Sequence, residues 1–260
     1  MIFLHPSIDP VIFSLGSIEI RWYGLAYVAA FLIGIQLMKR FNNKIQDNIN
    51  TKIIDDFFIW SIIGVIVGGR LGYVIFYQTL IFLNDPFYIF YIWQGGMSFH
   101  GGLIGIIIST YFFSKIKKIN FFYLSDLITL VAPIGLFFGR IANFINVELI
   151  GKVTTFPIAV IYPTIDNLPR HPSQLYEAFF EGLILFIILY FFFLKFYNKK
   201  MIGKLSGLFL LFYGLFRFLV EFIREPDVNL GLFFNFLSMG QLLSLPLLLF
   251  GFLLLIKRNA

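Results

Sequence analysis

The chain contains no cysteine and few charges, and each shortage narrows what it can be. Without a thiol it can form no disulfide, no thiolate metal site and no cysteine nucleophile, so any thiol chemistry must arrive with a substrate. Charged residues make up 13% of the 260 positions, well under the roughly 25% usual for a soluble domain. The chain also lacks an internal repeat, a low-complexity linker and a block of like charge, which argues for one domain spanning 1–260 and against a nucleic-acid-binding tail. His5, His100 and His171 lie far apart, with no ligand spacing that calls for a metal, and no cofactor is expected. The first residues lack a basic stretch and carry Pro6 and Pro10 where a signal peptide needs a continuous apolar run, so no cleaved signal is expected.

What is abundant is apolar sequence. Hydrophobic residues are 59% of the chain and mean hydropathy is +0.86. Runs of about 20 apolar residues recur along its length, each able to cross a hydrocarbon layer roughly 30 Å thick. Windowed hydropathy places spans near Tyr23 to Met38, Phe57 to Leu83, Met97 to Phe113, Phe122 to Phe144, Leu175 to Leu194, Leu205 to Ile223 and Phe236 to Ile256. The expected fold is therefore an all-α integral membrane protein, a bundle of about seven transmembrane helices. The segment from Asn146 to Ser173, with Thr, Pro and Asp breakers, is expected to form a small outer-face cap or substrate-contact region.

The net charge of +6 comes from short basic clusters between the spans. Lys39, Arg40, Lys44 and Lys52 follow span one; Lys115, Lys117 and Lys118 follow span three; Lys195, Lys199, Lys200 and Lys204 follow span five; Lys257 and Arg258 follow span seven. The alternate connections hold only Arg21, Lys152, Arg170 and Arg224. The positive-inside rule then puts the N-terminus outside and the C-terminus in the cytoplasm.

Arg70, Arg140 and Arg217 remain, inside the spans. An arginine at the bilayer centre costs about 2.5 to 3.5 kcal/mol, so each needs a partner or a wet cavity. The expected topology gathers most intramembrane polar residues in the outer half: Tyr23, His100, Arg140, Asn143, Glu177, Glu181, Arg217 and Glu221. Asp126 belongs to the inner half and Arg70 to mid-depth. Arg217 and Glu221, spaced four apart, can pair along one helix face for purely structural reasons. That pairing leaves Arg140, Asn143 and His100 at the same depth unexplained. The run WQGGMSFHGGLIG sets His100 between glycine pairs at a span entrance, where it is either a hydrogen-bonded packing residue or part of a site. GGRLGY places Arg70 on a small-residue face. GRIANFINVELIG puts Arg140 and Asn143 one turn apart, then supplies Asn146, Glu148 and Gly151 beyond the helix end. Guanidinium forks at a membrane face suit the phosphates of lipid headgroups. In RHPSQLYE, Ser173 or Gln174 either caps span five or serves the site.

At these residues the chain resembles the prolipoprotein diacylglyceryl transferases of bacterial plasma membranes. The resemblance runs through RWYG at Arg21 to Gly24, GGRLGY, GGMSFHGG, GRIANFINVELIG, RHPSQLYE and YGLFRFLVEFIREPD from Tyr213 to Asp227. The family signature, G-R-x-(G or A)-N-F-x-N-x-E-x-x-G, is met at every fixed position. It implies a transferase that moves the diacylglyceryl group of phosphatidylglycerol onto the lipobox cysteine of a preprolipoprotein signal peptide and releases glycerol phosphate. It also implies a multi-pass enzyme of the bacterial plasma (inner) membrane whose partners are that lipid, that peptide and the bilayer.

On this reading the lipid phosphate sits between Arg140 and Arg217. Asn143 bonds its oxygens, Glu148 and Glu221 orient the two guanidinium groups, Gly151 and Tyr213 shape the headgroup site, and Tyr23 either joins them or is an interfacial aromatic anchor. His100 is the expected base for the substrate thiol, although the arginine field can form a thiolate without it. Arg70 either holds the bundle together or serves a second lipid position. A transporter is the rival from another class and a structural or sensory membrane protein the third. The one-sided placement of the charges, without paired broken helices, argues against transport.

Overall fold

A computed structural model describes residues 2–15, 18–45, 49–226, 232–233 and 237–256. Phe236, Asp227, Lys257 and Arg258, used in the sequence reading, lie outside them. The chain forms two compact units, Met1–Met38 with Asp126–Ala260, and Lys39–Ser125.

The architecture is helical, and its helices are apolar on the outside. Among the described residues, five helices are long and apolar enough to cross a membrane: α1 (Trp22–Lys44), α2 (Thr51–Tyr77), α5 (Phe121–Ile145), the continuous helix Ser173–Phe196 and α9 (Met239–Ile256). Between 17% and 39% of each such window is buried, and Ile59, Ile63, Phe191, Leu249 and Phe250 are among the exposed side chains. Such a surface suits a hydrocarbon solvent. The two further expected spans are α4 (Phe99–Lys117), of 19 residues, and α8 (Lys204–Val220), of 17. Span two, expected to reach Leu83, starts earlier, at Thr51, and stops at Tyr77. Gln78 leaves helical geometry, and a separate six-residue helix, α3 (Thr79–Asn84), follows.

In the Lys39–Ser125 unit, small residues bring α2 and α4 together. Gly64, Gly68 and Gly72, at every fourth position of α2, face Gly101, Gly105 and Ser109 of α4, and a Cβ on Gly72 would lie 2.8 Å from the Gly101 Cα. Without a hydrophobic force between helices in lipid, this close backbone approach and its dispersion contacts hold the pair. Ser98 caps α4 through its side chain, accepting from the Gly101 N–H at 3.2 Å, and its own N–H reaches the Gly69 carbonyl at 2.9 Å. His100 follows in the first turn of α4, with an exposed side chain.

Arg70, 2% exposed, is enclosed in this unit by backbone oxygens. Its Nη1 donates to the Gly95 carbonyl at 2.6 Å and the Gly96 carbonyl at 3.3 Å. Its Nη2 donates to Tyr88 at 2.7 Å and its Nε to Ile89 at 3.1 Å. The Tyr88 ring lies 4.8 Å from the guanidinium carbon, a cation–π distance. Gly95 and Gly96 have φ of 77° and 80°, which only glycine adopts freely, so the sequence can turn both carbonyls toward the cation.

In the other unit, α6 (Ser173–Glu177) runs through a π turn, Ala178–Ile184, into α7 (Leu185–Phe196). Helices α8 and α9 pack through Gly207, Gly214 and Gly251. Two strands from the Asn146 to Ser173 segment join the N-terminal one in a small sheet: β1 (Phe3–Leu4) pairs parallel with β4 (Val160–Ile161), which pairs antiparallel with β5 (Pro169–Arg170). The hairpin of β2 (Val11–Leu15) and β3 (Ile18–Arg21) leads into α1. His5, 2% exposed, donates from Nε2 to the Phe144 carbonyl at 3.0 Å and ties the N-terminal segment to the end of α5.

The packing makes one sharp prediction. Gly68→Val forces a branched side chain into the α4 backbone, an overpacking cost of about 1–3 kcal/mol, and lowers the melting temperature in detergent by several degrees. Gly135→Ala, whose Cβ meets nothing within 4 Å, leaves it unchanged.

Candidate active site

The Arg140 and Asn143 pair lies in the last turns of α5, and the chain then folds back on itself. Val147 and Leu149 both have φ of 57°, a left-handed geometry costly for branched or bulky side chains. The strain is held by tight bonds: the Glu148 N–H reaches the Asn143 carbonyl at 2.9 Å, and the Ser173 hydroxyl donates to the Leu149 carbonyl at 2.7 Å. Gln174 Nε2 donates to the Glu148 carbonyl. Ser173 and Gln174 are fully buried and fix this turn, where the sequence had suggested they cap span five; Pro172 occupies the cap position and makes no side-chain bond there. Folding back delivers the Glu148 carboxylate to Asn143, whose Nδ2 donates to it at 2.7 Å and to the Tyr23 hydroxyl at 3.1 Å.

A cluster of six charges lies beside this turn. Glu177 is its centre. Its Oε1 accepts from Arg217 Nη1 at 2.6 Å and Arg224 Nη1 at 3.2 Å, and its Oε2 is 2.9 Å from Arg140 Nε. Glu181 Oε2 accepts from Arg140 Nη2 at 3.3 Å, and Glu221 Oε2 is 2.9 Å from Arg217 Nη2. Three guanidinium groups and three carboxylates balance formally. Glu177 and Glu181 have no exposed side-chain surface, whereas Arg140 and Arg217 keep 16% and 14%. The carboxylates therefore form the floor and the two arginines the accessible rim.

Local structure explains how the carboxylates get there. The π turn between Glu177 and Ile184 is a wider helical turn of the kind that recurs at functional sites. Gly182, inside it, lies so close to α5 that a Cβ would meet the Phe137 Cβ at 2.7 Å, three residues before Arg140. Gly151 is squeezed between the His171 and Ile223 carbonyls and bridges to Arg224, holding that arginine beside Glu177. Tyr213 is buried one turn before Arg217 on α8. Outside the spans, burial lowers the pKa of the His171 imidazole below its ordinary value.

The sequence-selected residues thus fall into three groups. Arg140, Arg217 and Glu221 share one cluster; Tyr23, Asn143 and Glu148 share a hydrogen-bonded chain beside it, with Gly151 and Tyr213 in supporting positions. Arg70 and His100 belong to the other compact unit. One expected pairing differs: Arg140 is held by Glu177 and Glu181, while Glu148 bonds Asn143 and Asn146, because the left-handed turn aims it back along α5. Sequence reasoning assigned no site role to Glu177, Glu181 or Arg224. The available signal was charge balance: two carboxylates four residues apart in an apolar span need cations as much as the arginines need anions.

Known proteins resemble this chain over nearly its whole length. The sequence profile described as Prolipoprotein diacylglyceryl transferase matches residues 10–257. Among curated relatives, the chain is 52% identical over 252 residues to the phosphatidylglycerol--prolipoprotein diacylglyceryl transferase of Rickettsia bellii (strain OSU 85-389), covering 97% of this chain and 96% of that one. It is 51% identical over 255 residues to the protein of the same name from Rickettsia typhi, covering 98% of each. The Rickettsia felis protein of that name is 48% identical over 254 residues, again covering 98% of each.

Proposed function

The chain belongs to the prolipoprotein diacylglyceryl transferase family, and from that premise we propose that it transfers the diacylglyceryl group of phosphatidylglycerol to the lipobox cysteine of a preprolipoprotein. A new S–C bond forms at the glyceryl carbon as its C–O bond to phosphorus breaks. Glycerol phosphate leaves with the electron pair, and the thiol proton passes to a base. A chain without cysteine suits this reaction, since the substrate supplies the sulfur.

The observation that carries the reading is the accessible arginine rim on a buried carboxylate floor. Glu177 bonds both Arg140 and Arg217, so two forks are held ready at one point. Charge develops on the phosphate oxygens as the C–O bond breaks, and cations fixed in advance stabilise it more than mobile water does. Asn143, tied to Glu148 and Tyr23, presents an amide beside the rim. Tyr213 and Gly151 shape its surroundings, and Glu221 steadies Arg217. His100, in the first turn of α4, is the residue we assign to take the thiol proton. The carbonyl cage around Arg70 supports a bundle-holding role for that residue over a second lipid site.

The enzyme is a multi-pass membrane protein. We place it in the bacterial inner membrane with the N-terminus outside, the orientation that the lysine-rich loops favour. The acceptor peptide then meets the lipid at the outer leaflet.

The test is a detergent assay with phosphatidylglycerol and a lipobox peptide, read as a mass gain on the peptide cysteine without any ion gradient. Arg140→Lys keeps charge but loses the fork, and turnover falls about 10²-fold, the scale for losing one charge-stabilising donor; wild-type turnover removes the phosphate clamp. His100→Gln loses turnover with an altered profile across about pH 6 to 8; full turnover throughout that range removes the base.

A further inference from the structure

Asp126 is a buried carboxylate, 1% exposed, that the transfer reaction does not use. It sits in the first turns of α5, at the opposite end from Arg140. Four donors converge on it. Oδ2 accepts from the Gly203 N–H at 2.6 Å and the Tyr197 hydroxyl at 2.9 Å; Oδ1 accepts from the Ser206 N–H at 2.8 Å and the Ser206 hydroxyl at 2.7 Å.

These donors identify the contact as a helix cap supplied from another helix. Gly203 is the N-cap residue of α8, with φ of 89° and no side chain to cap with; Ser206 is the third residue of that helix. A capping box normally satisfies these same two N–H groups from within the helix. Here one carboxylate on α5 satisfies both, and as an anion it also complements the positive end of the α8 dipole.

The spacing gives the cap a further consequence. Arg140 lies fourteen residues beyond Asp126, and Arg217 fourteen beyond Gly203. At 1.5 Å per residue both arms rise by about 21 Å, so a pin at one end sets the two guanidinium groups to the same level at the other. Ser206 to Arg217 is eleven residues, close to three full turns at 3.6 per turn, which returns Arg217 to the face that meets Asp126. The register matters because Pro133 lies midway along α5 and removes one rung of its hydrogen-bond ladder.

We propose that Asp126 is a positioning residue for catalysis: by capping α8 from α5 it sets the register between the two helices that carry Arg140 and Arg217. The proposal rests on those two arginines acting as the phosphate clamp.

The experiment measures kcat and KM for phosphatidylglycerol per unit of folded protein, isolated by size exclusion, for Asp126→Asn, Ser206→Ala and the double variant, with Arg217→Lys alongside. Asp126→Asn loses about 10- to 100-fold in kcat, the effect of misplacing a reacting group by about 1 Å, while KM changes less than about threefold. Ser206→Ala loses kcat in the same direction but less, and adds nothing to Asp126→Asn, because both act through one pin. If Asp126→Asn yields no folded protein, Ser206→Ala alone decides. Unchanged kcat in the folded variants overturns the register role, as does a loss in KM alone. Should Arg217→Lys also keep full activity, the clamp itself has failed; if only the Asp126 and Ser206 variants are silent, the clamp stands and the pin falls.

Discussion

One carboxylate holds the charged centre of this protein together. Glu177, without exposed side-chain surface, bonds Arg140 from the end of α5 and Arg217 and Arg224 from α8 and the turn that follows it. In a protein whose outer surface faces lipid, a buried cation without a partner is costly, and so is a buried anion. Each solves the other's problem only at good geometry. The surrounding structure is organised to deliver that geometry: the π turn presents Glu177 and Glu181, Gly182 lets that turn approach α5, and Gly151 holds Arg224 in place. Removing Glu177 takes a partner from all three arginines, and breaking one buried pair costs about 3–5 kcal/mol.

The same arrangement separates holding from acting. Glu177 and Glu181 are shut off below, while Arg140 and Arg217 keep an accessible edge. On the proposed clamp role, a guanidinium already fixed by a buried partner has little entropy left to lose when a phosphate binds, and preorganised charge is what transition-state stabilisation requires. Arg70 solves its burial differently, with four backbone carbonyls and a tyrosine ring in place of an anion. It orders a loop without presenting an edge.

Much of this was legible in the sequence, for identifiable reasons. Helix existence followed from hydropathy, since a span long enough for a bilayer leaves a plain signature. Arg140 with Asn143, and Arg217 with Glu221, could be paired because helical spacing is local information. The central role of Glu177 could not be read that way. Its three partners lie 37, 40 and 47 positions away, and only tertiary packing joins them. The Arg70 cage was equally hidden, because its ligands are carbonyls that every residue possesses; Gly95 and Gly96 mark it only once their positive φ is known. Span two ended at Tyr77 rather than Leu83 because Gln78 breaks the helix while hydropathy runs on.

The central claim is that Glu177 organises both arginines without touching substrate. The most direct measurement is kcat for lipobox-peptide modification by folded Glu177→Gln, which keeps the side chain's shape but removes the charge that binds three guanidinium groups. The account predicts a loss of about 10²-fold or more, comparable to losing a transition-state donor outright. Turnover equal to that of the unaltered protein would contradict it.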